Sequence, residues 1–268
     1  MILAVFILTG IFAGILSGWI GAGGGIIIVP VMLFLTAREG IDPSLAVHLS
    51  ITTSLAFIMV NSIYTTFHHH KNGHLLFPLF KRIVIFVIMG ALVGSQLDLI
   101  LPSLWPKVIF IALMLVVLVQ SFLQKHQNVN SQHIIPGVAS RASIGLLIGT
   151  LSAIVGVGGS TITNPYMLHY KYPMKQCAAM STALAIPMGF FAISTLMVHS
   201  IGMSSLPSGS VGFIYIPAFV GLLIGSFIGS PLGVFIVKRV SNKFSIWFFR
   251  CVLFAVLVQM FYSVYSHW

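Results

Sequence analysis

The chain has 268 residues, of which 58% are hydrophobic and only 6% are charged. A soluble domain carries about 25% charged residues, so this composition excludes a water-facing surface over most of the protein. Thirteen Lys and Arg residues outnumber three acidic residues, for a net charge of +10. In a soluble chain that excess would suggest nucleic acid, but in so apolar a chain it indicates basic loops that orient membrane spans. We therefore expect the partner to be a lipid bilayer and not nucleic acid.

Apolar segments long enough to cross a bilayer, which takes roughly 20 helical residues each, run along the whole chain. Little sequence remains between them, so there is no room for a soluble catalytic or receptor domain. The pattern predicts an all-α polytopic membrane protein with about eight transmembrane segments. They lie at about 2–35, 44–67, 76–100, 104–123, 142–168, 176–200, 210–237 and 245–265.

The two halves of the chain resemble each other in sequence. The motif Gly21-Ala-Gly-Gly-Gly25 recurs as Gly156-Val-Gly-Gly-Ser160, and Pro30 and Pro165 follow at the same spacing. Further matches keep the same order, among them Gly90–Ser95 with Gly225–Ser230. Duplication is a common build for secondary transporters, with the solute bound between the repeats. We predict two homologous repeats of four segments, 1–123 and 142–268, joined by a polar linker at 124–141.

The first helix of each repeat is predicted to be broken at its glycine-rich motif. Glycine favours non-helical conformations and proline removes a backbone donor, so we interpret Pro30 and Pro165 as helix-break residues. A helix that restarts after a break presents N–H groups and a positive dipole end, which together favour an anion. Close packing of helices through small residues is the alternative. The candidate binding positions are Gly23, Gly24, Gly25, Gly158, Gly159 and Ser160.

Two ladders carry glycine at every fourth position, Gly10-Gly14-Gly18 and Gly221-Gly225-Gly229. Small residues at this spacing let membrane helices approach closely. We therefore predict a packing role for both ladders and assign them no chemistry.

The second segment of each repeat is rich in hydroxyl groups. Such side chains often bond back to their own helix, but a dense run of them can also ligate an oxyanion beside backbone N–H groups. Asn164, which follows the second glycine-rich motif, adds an amide. The candidate ligands are Ser50, Thr52, Thr53, Ser54, Ser181, Thr182 and Asn164.

Ionisable residues inside the segments are few. His48 and Asp98 are candidates for proton coupling, because buried ionisable groups in membranes commonly serve function and histidine titrates near neutrality. Each also lies near an end of its segment, where an interfacial position would explain it. With Glu39 and Asp42 the only other acids, a dense acidic cation pathway is excluded, and the composition fits an anionic solute.

No metal or cofactor site is predicted. His68, His69, His70 and His74 lack a carboxylate or cysteine partner, and we interpret them as a solvated loop. The sequence contains no Gly-x-Ser-x-Gly elbow, no His-Glu-x-x-His and no phosphate-binding Gly-x-x-x-x-Gly-Lys-Ser/Thr motif. We therefore do not expect an enzyme.

The paired motifs, Gly21 to Pro30 and Gly156 to Pro165, resemble those of the TauE/SafE sulfite exporter family, the toluenesulfonate uptake permeases. The resemblance covers nearly the whole chain. It implies a bacterial inner-membrane permease for sulfite, organosulfonates or related carboxylates, driven by the proton gradient. The two halves differ, since Thr163-Asn164 stands where the first half has Ile28-Val29, so the second half is expected to carry more polar contacts.

The sequence is compatible with a second interpretation of the function and with a second interpretation of the membrane topology. A passive anion pore built on the same broken helices, or a membrane enzyme or assembly factor, would also fit an apolar chain. Four full spans per repeat place eight basic residues on one side and five on the other, which favours both termini outside. If each broken helix were a re-entrant hairpin, the repeats would be inverted. A homo-oligomer is left open.

Overall fold

A computed structural model describes residues 2–20, 24–123, 136–203, 206–237, 239–240 and 242–265. In these ranges the chain is helical apart from short connections and one β-hairpin of two-residue strands. The elements are α1 (Ile2–Ile20), α2 (Gly25–Arg38), α3 (Pro43–Lys71), α4 (Phe77–Ile100), α5 (Leu104–Leu123), α6 (Val138–Val155), α7 (Ser160–His169), α8 (Met174–His199), β1 (Ser210–Val211), β2 (Ile214–Tyr215), α9 (Ile216–Val237) and α10 (Asn242–Tyr265).

Seven of the described helices, α3 to α6 and α8 to α10, are long and apolar enough to cross a membrane. The helices α1 and α2 are apolar but shorter. Large apolar side chains cover the outside of the molecule, such as Ile100, which is 77% exposed, and Phe122 and Trp247. A surface of this kind is stable against lipid and not against water.

Two predicted segments are not single helices. Segment 2–35 consists of α1 and α2, and segment 142–168 consists of α6 and α7. At the second break, Gly156 ends α6 with a φ of 69°, a left-handed conformation that side chains other than glycine rarely adopt. Because α6 begins at Val138, the last four residues of the predicted linker are helical, while 124–135 lie outside the described residues.

The chain reverses direction at both breaks. A Cβ atom placed on Gly24 would lie 2.9 Å from Ala13 Cβ, and one placed on Gly159 would lie 2.9 Å from Ile148 Cγ2. In each case the two residues are eleven apart, which in a continuous helix would separate them by about 16 Å. The helices α1 and α2 therefore form one hairpin, and α6 and α7 form a second.

The hydroxyls of two tyrosines show how far the second hairpin folds back. Ser140, near the start of α6, hydrogen-bonds the hydroxyl of Tyr166 at 3.0 Å and that of Tyr170 at 3.1 Å. Both tyrosines lie at the end of α7, so α7 returns to the side on which α6 begins. The second hairpin therefore has the re-entrant geometry that the sequence analysis gave as the alternative to a full span.

The glycine ladders join the two halves. Gly225 and Gly229 lie against the backbone of Ile7 and Ile11, and on α6 Gly149 lies against the carbonyl of Val87. The residue numbers rise together on both partners, so α1 runs parallel to α9 and α4 runs parallel to α6. The predicted packing role of Gly221–Gly229, and of Gly10 and Gly14 on the facing helix, is confirmed.

The remaining helices define two ends of the molecule. We call the end at which α1 begins the near side and the opposite end the far side. The Nδ1 atom of His48 lies 2.9 Å from Asp98 Oδ2, so the start of α3 meets the end of α4 on the near side. The guanidinium of Arg250 donates to Ser121, so the end of α5 meets the first half of α10 on the far side.

The helix α3 begins at a capped turn on the near side. The carboxylate of Asp42 accepts hydrogen bonds from the backbone N–H groups of Ser44 and Leu45 and from the Ser44 hydroxyl. Aspartate is a favoured N-cap because it satisfies donors that the first turn leaves open. These bonds, that of the Ser44 hydroxyl first, hold the pKa of Asp42 below its usual value.

Candidate anion site

A cleft lies between the two hairpins and the helices α3 and α8. The tips of the hairpins meet at its floor, where a Cβ atom on Gly25 would lie 2.9 Å from the carbonyl oxygen of Gly156. The cleft continues along α3 as far as His69, so it opens toward the far side.

Two helices start at the cleft. The carbonyls of Gly24 and Gly159 accept the first helical hydrogen bonds of α2 and α7, from Ile28 and Thr163 among others. The first turn of a helix leaves its leading N–H groups without helical acceptors, and the dipole adds positive potential there. Serines, threonines and an asparagine are among the residues that line the cleft, and no carboxylate is. Of the lining hydroxyls, those of Ser181 and Thr182 donate to the Ala178 carbonyl of their own helix. This chemistry suits an anion.

The structure brings six of the predicted site residues to the cleft. They come from both hairpins and from α8, and they are Gly24, Gly158, Gly159, Ser160, Ser181 and Thr182. Gly23 lies outside the described residues. The other predicted positions, Gly25, Ser50, Thr52, Thr53, Ser54 and Asn164, do not line the cleft.

Three of the hydroxyls that miss the cleft stabilise the backbone. Ser50 donates to the Ala46 carbonyl of its own helix at 2.7 Å. Thr53 accepts from the N–H of Tyr215 at 3.0 Å, which ties the β-hairpin to α3. Ser54 donates to the carbonyl of Gly156 at 2.7 Å and fixes the tip of the second hairpin. Among the described residues, Thr52 Oγ1 and Asn164 Oδ1 are buried without hydrogen-bond partners.

The sequence analysis did not predict that the second half of α3 contributes to the site. Asn61, Ser62, Thr65 and His69 line the cleft, together with Ser17 of α1. The spacing of Asn61, Thr65 and His69, four residues apart, places them on one helical face, and that periodicity was available in the sequence. The amide of Asn61 connects the halves, since it approaches Ser17 Oγ at 3.4 Å and accepts from Ser226 Oγ at 3.2 Å.

The histidine run is helical and not a loop, which corrects the sequence prediction. Because α3 continues to Lys71, the residues His68, His69 and His70 occupy its last turn. The ring of His69 lies 6.0 Å from that of His74, centroid to centroid. No group of three potential metal ligands occurs in the part of the chain that the structure describes.

Pro30 and Pro165 lie inside α2 and α7, so neither helix breaks at its proline. The breaks come earlier, at the glycines. Each proline is the sixth residue of its helix and removes a single helical donor, a loss that membrane helices tolerate when neighbours satisfy the freed groups. In α2, the side-chain amide of Gln259 donates to the carbonyl of Pro30 itself at 3.0 Å.

The two ionisable candidates form a pair. Asp98 is fully buried, and one of its oxygens contacts His48 while the other has no hydrogen-bond partner among the described residues. The His48 ring also packs against Phe213, with 5.3 Å between ring centroids. A buried carboxylate is costly unless it is paired or protonated, and the contact with His48 gives one of its oxygens a partner.

Comparison with known proteins decides the family. The model for the sulfite exporter TauE/SafE family matches residues 6–260. The chain belongs to the TauE/SafE family. Members of this family are membrane transporters, and the TauE/SafE assignment together with the apolar helices makes this chain a multi-pass membrane protein.

Curated relatives of this TauE/SafE protein are named as membrane transporters. A "Probable membrane transporter protein" of Haemophilus influenzae is 26% identical over 256 residues, covering 95% of this chain and 96% of the relative. YunE of Bacillus subtilis is 27% identical over 286 residues and covers 98% of both chains. A relative from Methanocaldococcus jannaschii is 27% identical over 251 residues, or 91% of this chain and 89% of its own. No solved structure matches.

Proposed function

We propose that this protein is a secondary transporter of the bacterial inner membrane that moves a small anion, either sulfite, an organosulfonate or a related carboxylate. The observation that carries the proposal is the cleft where both hairpin tips meet. Two helix starts and a set of hydroxyl and amide groups converge there without a carboxylate. The scarcity of acids in the whole chain supports an anionic solute over a cation.

The two halves are proposed to be inverted repeats. The contact of Gly24 with Ala13 recurs in the second half as the contact of Gly159 with Ile148, and both residues of the pair are displaced along the chain by the same number of residues. The fourth helix of each half packs on the first helix of the other half. A hairpin followed by three crossings gives each repeat an odd number of net crossings, which places the repeats in opposite orientation.

The far side is proposed to face the cytoplasm, with both termini outside. Basic residues concentrate in cytoplasmic loops of membrane proteins. Of the Lys and Arg residues whose side chains are described, only Arg38 and Lys107 belong to the near side. All three acids, Glu39, Asp42 and Asp98, also lie there. The far side holds Lys71, Lys81, Arg82, Arg141, Lys171, Lys175, Arg239 and Arg250. Uninterrupted spans would divide the same ten residues six to four, so the hairpins make the asymmetry larger.

Labelling tests this orientation. Single cysteines at Glu39 on the near side and Asn72 on the far side suit the purpose, because both side chains are exposed in the connections between helices. In intact cells, with Cys251 replaced by serine, a membrane-impermeant maleimide should label the cysteine at 39 and not that at 72. The opposite pattern would reverse the orientation.

Flux into liposomes tests the function. Purified protein should move sulfite or a short alkanesulfonate faster than empty liposomes do, and an inward proton gradient should drive accumulation above the external concentration. Transport that only equilibrates the anion, and ignores the proton gradient, would favour the passive pore instead. Failure to move any sulfur oxyanion or small carboxylate would overturn the proposal.

The buried pair of His48 and Asp98 is the proposed proton site. Asp98→Asn keeps the size of the side chain but cannot exchange a proton, so we expect gradient-driven accumulation to fall at least tenfold. Exchange of external for internal anion, which needs no net proton movement, should persist. The measurement compares the two assays in the same liposomes, and Glu39→Gln, an exposed acid on the same side, is the matched control. Equal loss in both assays would point to misfolding or to a binding defect.

A further inference from the structure

Asn61 carries the one side-chain amide among the residues that line the cleft. Several of its neighbours already use their donors, because the hydroxyls of Thr65, Ser181 and Thr182 each donate to a carbonyl of their own helix. The side-chain nitrogen of Asn61 makes one hydrogen bond among the described residues, to Ser17 Oγ, and at 3.4 Å that bond is long. The two N–H groups of the amide are therefore available to a ligand in the cleft.

Ser226 of α9 determines which way the amide faces. An amide has an oxygen that only accepts hydrogen bonds and a nitrogen that only donates them. The Ser226 hydroxyl donates to Asn61 Oδ1 at 3.2 Å, so the oxygen is turned toward α9 and the nitrogen toward Ser17, which lines the cleft. Close packing fixes Ser226 in place, since a Cβ atom on Gly14 would lie 2.8 Å from its Cα atom. The donor side of the amide therefore faces the cleft.

The same amide and hydroxyl do not recur in the other half of the chain. The proposed repeats align Thr53 with Thr182. Eight residues later, α3 has Asn61 and α8 has Phe190. At the position of the orienting serine of α9, the matching helix α4 has Ala91. Both α1 with α9 and α4 with α6 pack through glycine, so this packing does not require the amide or the hydroxyl.

We propose that Asn61 is the side chain that recognises the transported anion, and that Ser226 is its positioning residue. The N–H groups of Asn61 donate to an oxygen of the solute in place of the long bond to Ser17. A hydrogen bond to a charged oxygen is shorter and stronger than one to a hydroxyl, which favours this exchange. The assignment rests on the proposed function, because the solute must enter the cleft to reach the amide.

Titration calorimetry of purified wild-type and variant protein tests the role of Asn61. The titrants are sulfite, methanesulfonate and acetate, and the variants are compared with the one that wild type binds most tightly. Asn61→Ala removes the donors, so this anion should bind about tenfold more weakly. Asn61→Asp keeps the shape of the side chain and can still accept from Ser226, but it places negative charge beside the anion. Binding to Asn61→Asp should therefore be weaker than binding to Asn61→Ala. A purely structural amide would give the reverse order.

The positioning role of Ser226 is tested by its coupling to Asn61. Ser226→Ala frees the amide to turn its oxygen toward the cleft, so the anion should bind about fivefold more weakly. In the Asn61→Ala background the same change should have no effect, because no amide remains to be oriented. A serine that only packs would have the same effect in both backgrounds. The matched control is Ser95→Ala, a buried serine of α4 that donates to its own helix, and it should stay within about twofold of wild type.

Binding to Asn61→Ala at wild-type strength, or binding to Asn61→Asp that is as tight as to Asn61→Ala, would overturn the assignment. If Asn61→Ala elutes as aggregate in size-exclusion chromatography, Asn61→Asp and Ser226→Ala are each compared with wild type, and unchanged binding to both would reject the assignment. Flux in liposomes separates this inference from the proposed function. A wild type that moves an anion which Asn61→Ala binds equally well rejects the assignment alone, whereas a wild type that neither binds nor moves any of the three rejects the function.

Discussion

Replacing Gly158 with leucine is expected to abolish anion flux while the protein stays folded. A Cβ atom at this position would meet only side-chain atoms of Ile58, the nearest at 3.3 Å. Gly158 also lacks a positive φ, so a side chain is compatible with its backbone. The leucine side chain would fill the cleft beside both helix starts. Flux in liposomes should fall to the background of empty liposomes, with the melting temperature within a few degrees of wild type.

The control for this variant is Gly137→Leu, because Gly137 precedes α6 and a Cβ atom added there would have nothing within 4 Å. It should change neither flux nor melting temperature. If Gly158→Leu transports at the wild-type rate, the cleft is not on the path of the solute. If the variant aggregates, Gly158→Val offers a smaller side chain for the same comparison.

Replacing Gly225 with leucine is expected to prevent folding. A Cβ atom there would lie 2.1 Å from the carbonyl oxygen of Ile7 and 2.6 Å from the backbone nitrogen of Ile11. Both are backbone atoms of α1, so only a shift of the whole helix would relieve the clash. Size-exclusion chromatography of the detergent-solubilised protein should show aggregate and little monodisperse peak.

Gly225→Ala is a more discriminating test of the close packing, because alanine has two opposite effects on the stability of the folded protein. Alanine favours a helix over glycine by about 1 kcal/mol, which alone would raise stability. The clash involves the Cβ atom itself, which alanine also has, and overpacking costs about 1–3 kcal/mol or more where the backbone cannot move. We expect a lower melting temperature than wild type. A higher one would show that α1 and α9 do not pack as closely as described.

The sequence predicted the helices better than their directions. Hydropathy located the apolar segments because lipid exposure requires apolar side chains over a fixed length. A glycine run also predicts a break, but it does not say whether the chain continues or turns back. That choice depends on contacts such as Gly24 with Ala13 and Gly159 with Ile148, which no local pattern displays.

Residue type was a weaker guide to the site than position. Ser54 and Ser181 each donate to a backbone carbonyl, Ser54 to Gly156 in the second hairpin and Ser181 to Ala178 of its own helix, yet only Ser181 lines the cleft. The partner of a hydroxyl depends on the neighbouring helix, which sequence alone does not identify. In contrast, His48 and Asp98 were singled out separately, because each is an ionisable residue in an apolar segment, and the structure shows that they meet.

The parallel contact of α1 with α9 has a consequence for biosynthesis. Ile7 and Gly225 touch, although the ribosome makes more than two hundred residues between them. Until α9 is synthesised, the glycine ladder of α1 lacks the helix against which it packs in the folded protein. A chain that ends before α9 would leave this ladder exposed in the bilayer. Membrane quality-control proteases act on such unassembled helices. We therefore expect truncation before Ile216 to yield a rapidly degraded product and not a stable half-transporter.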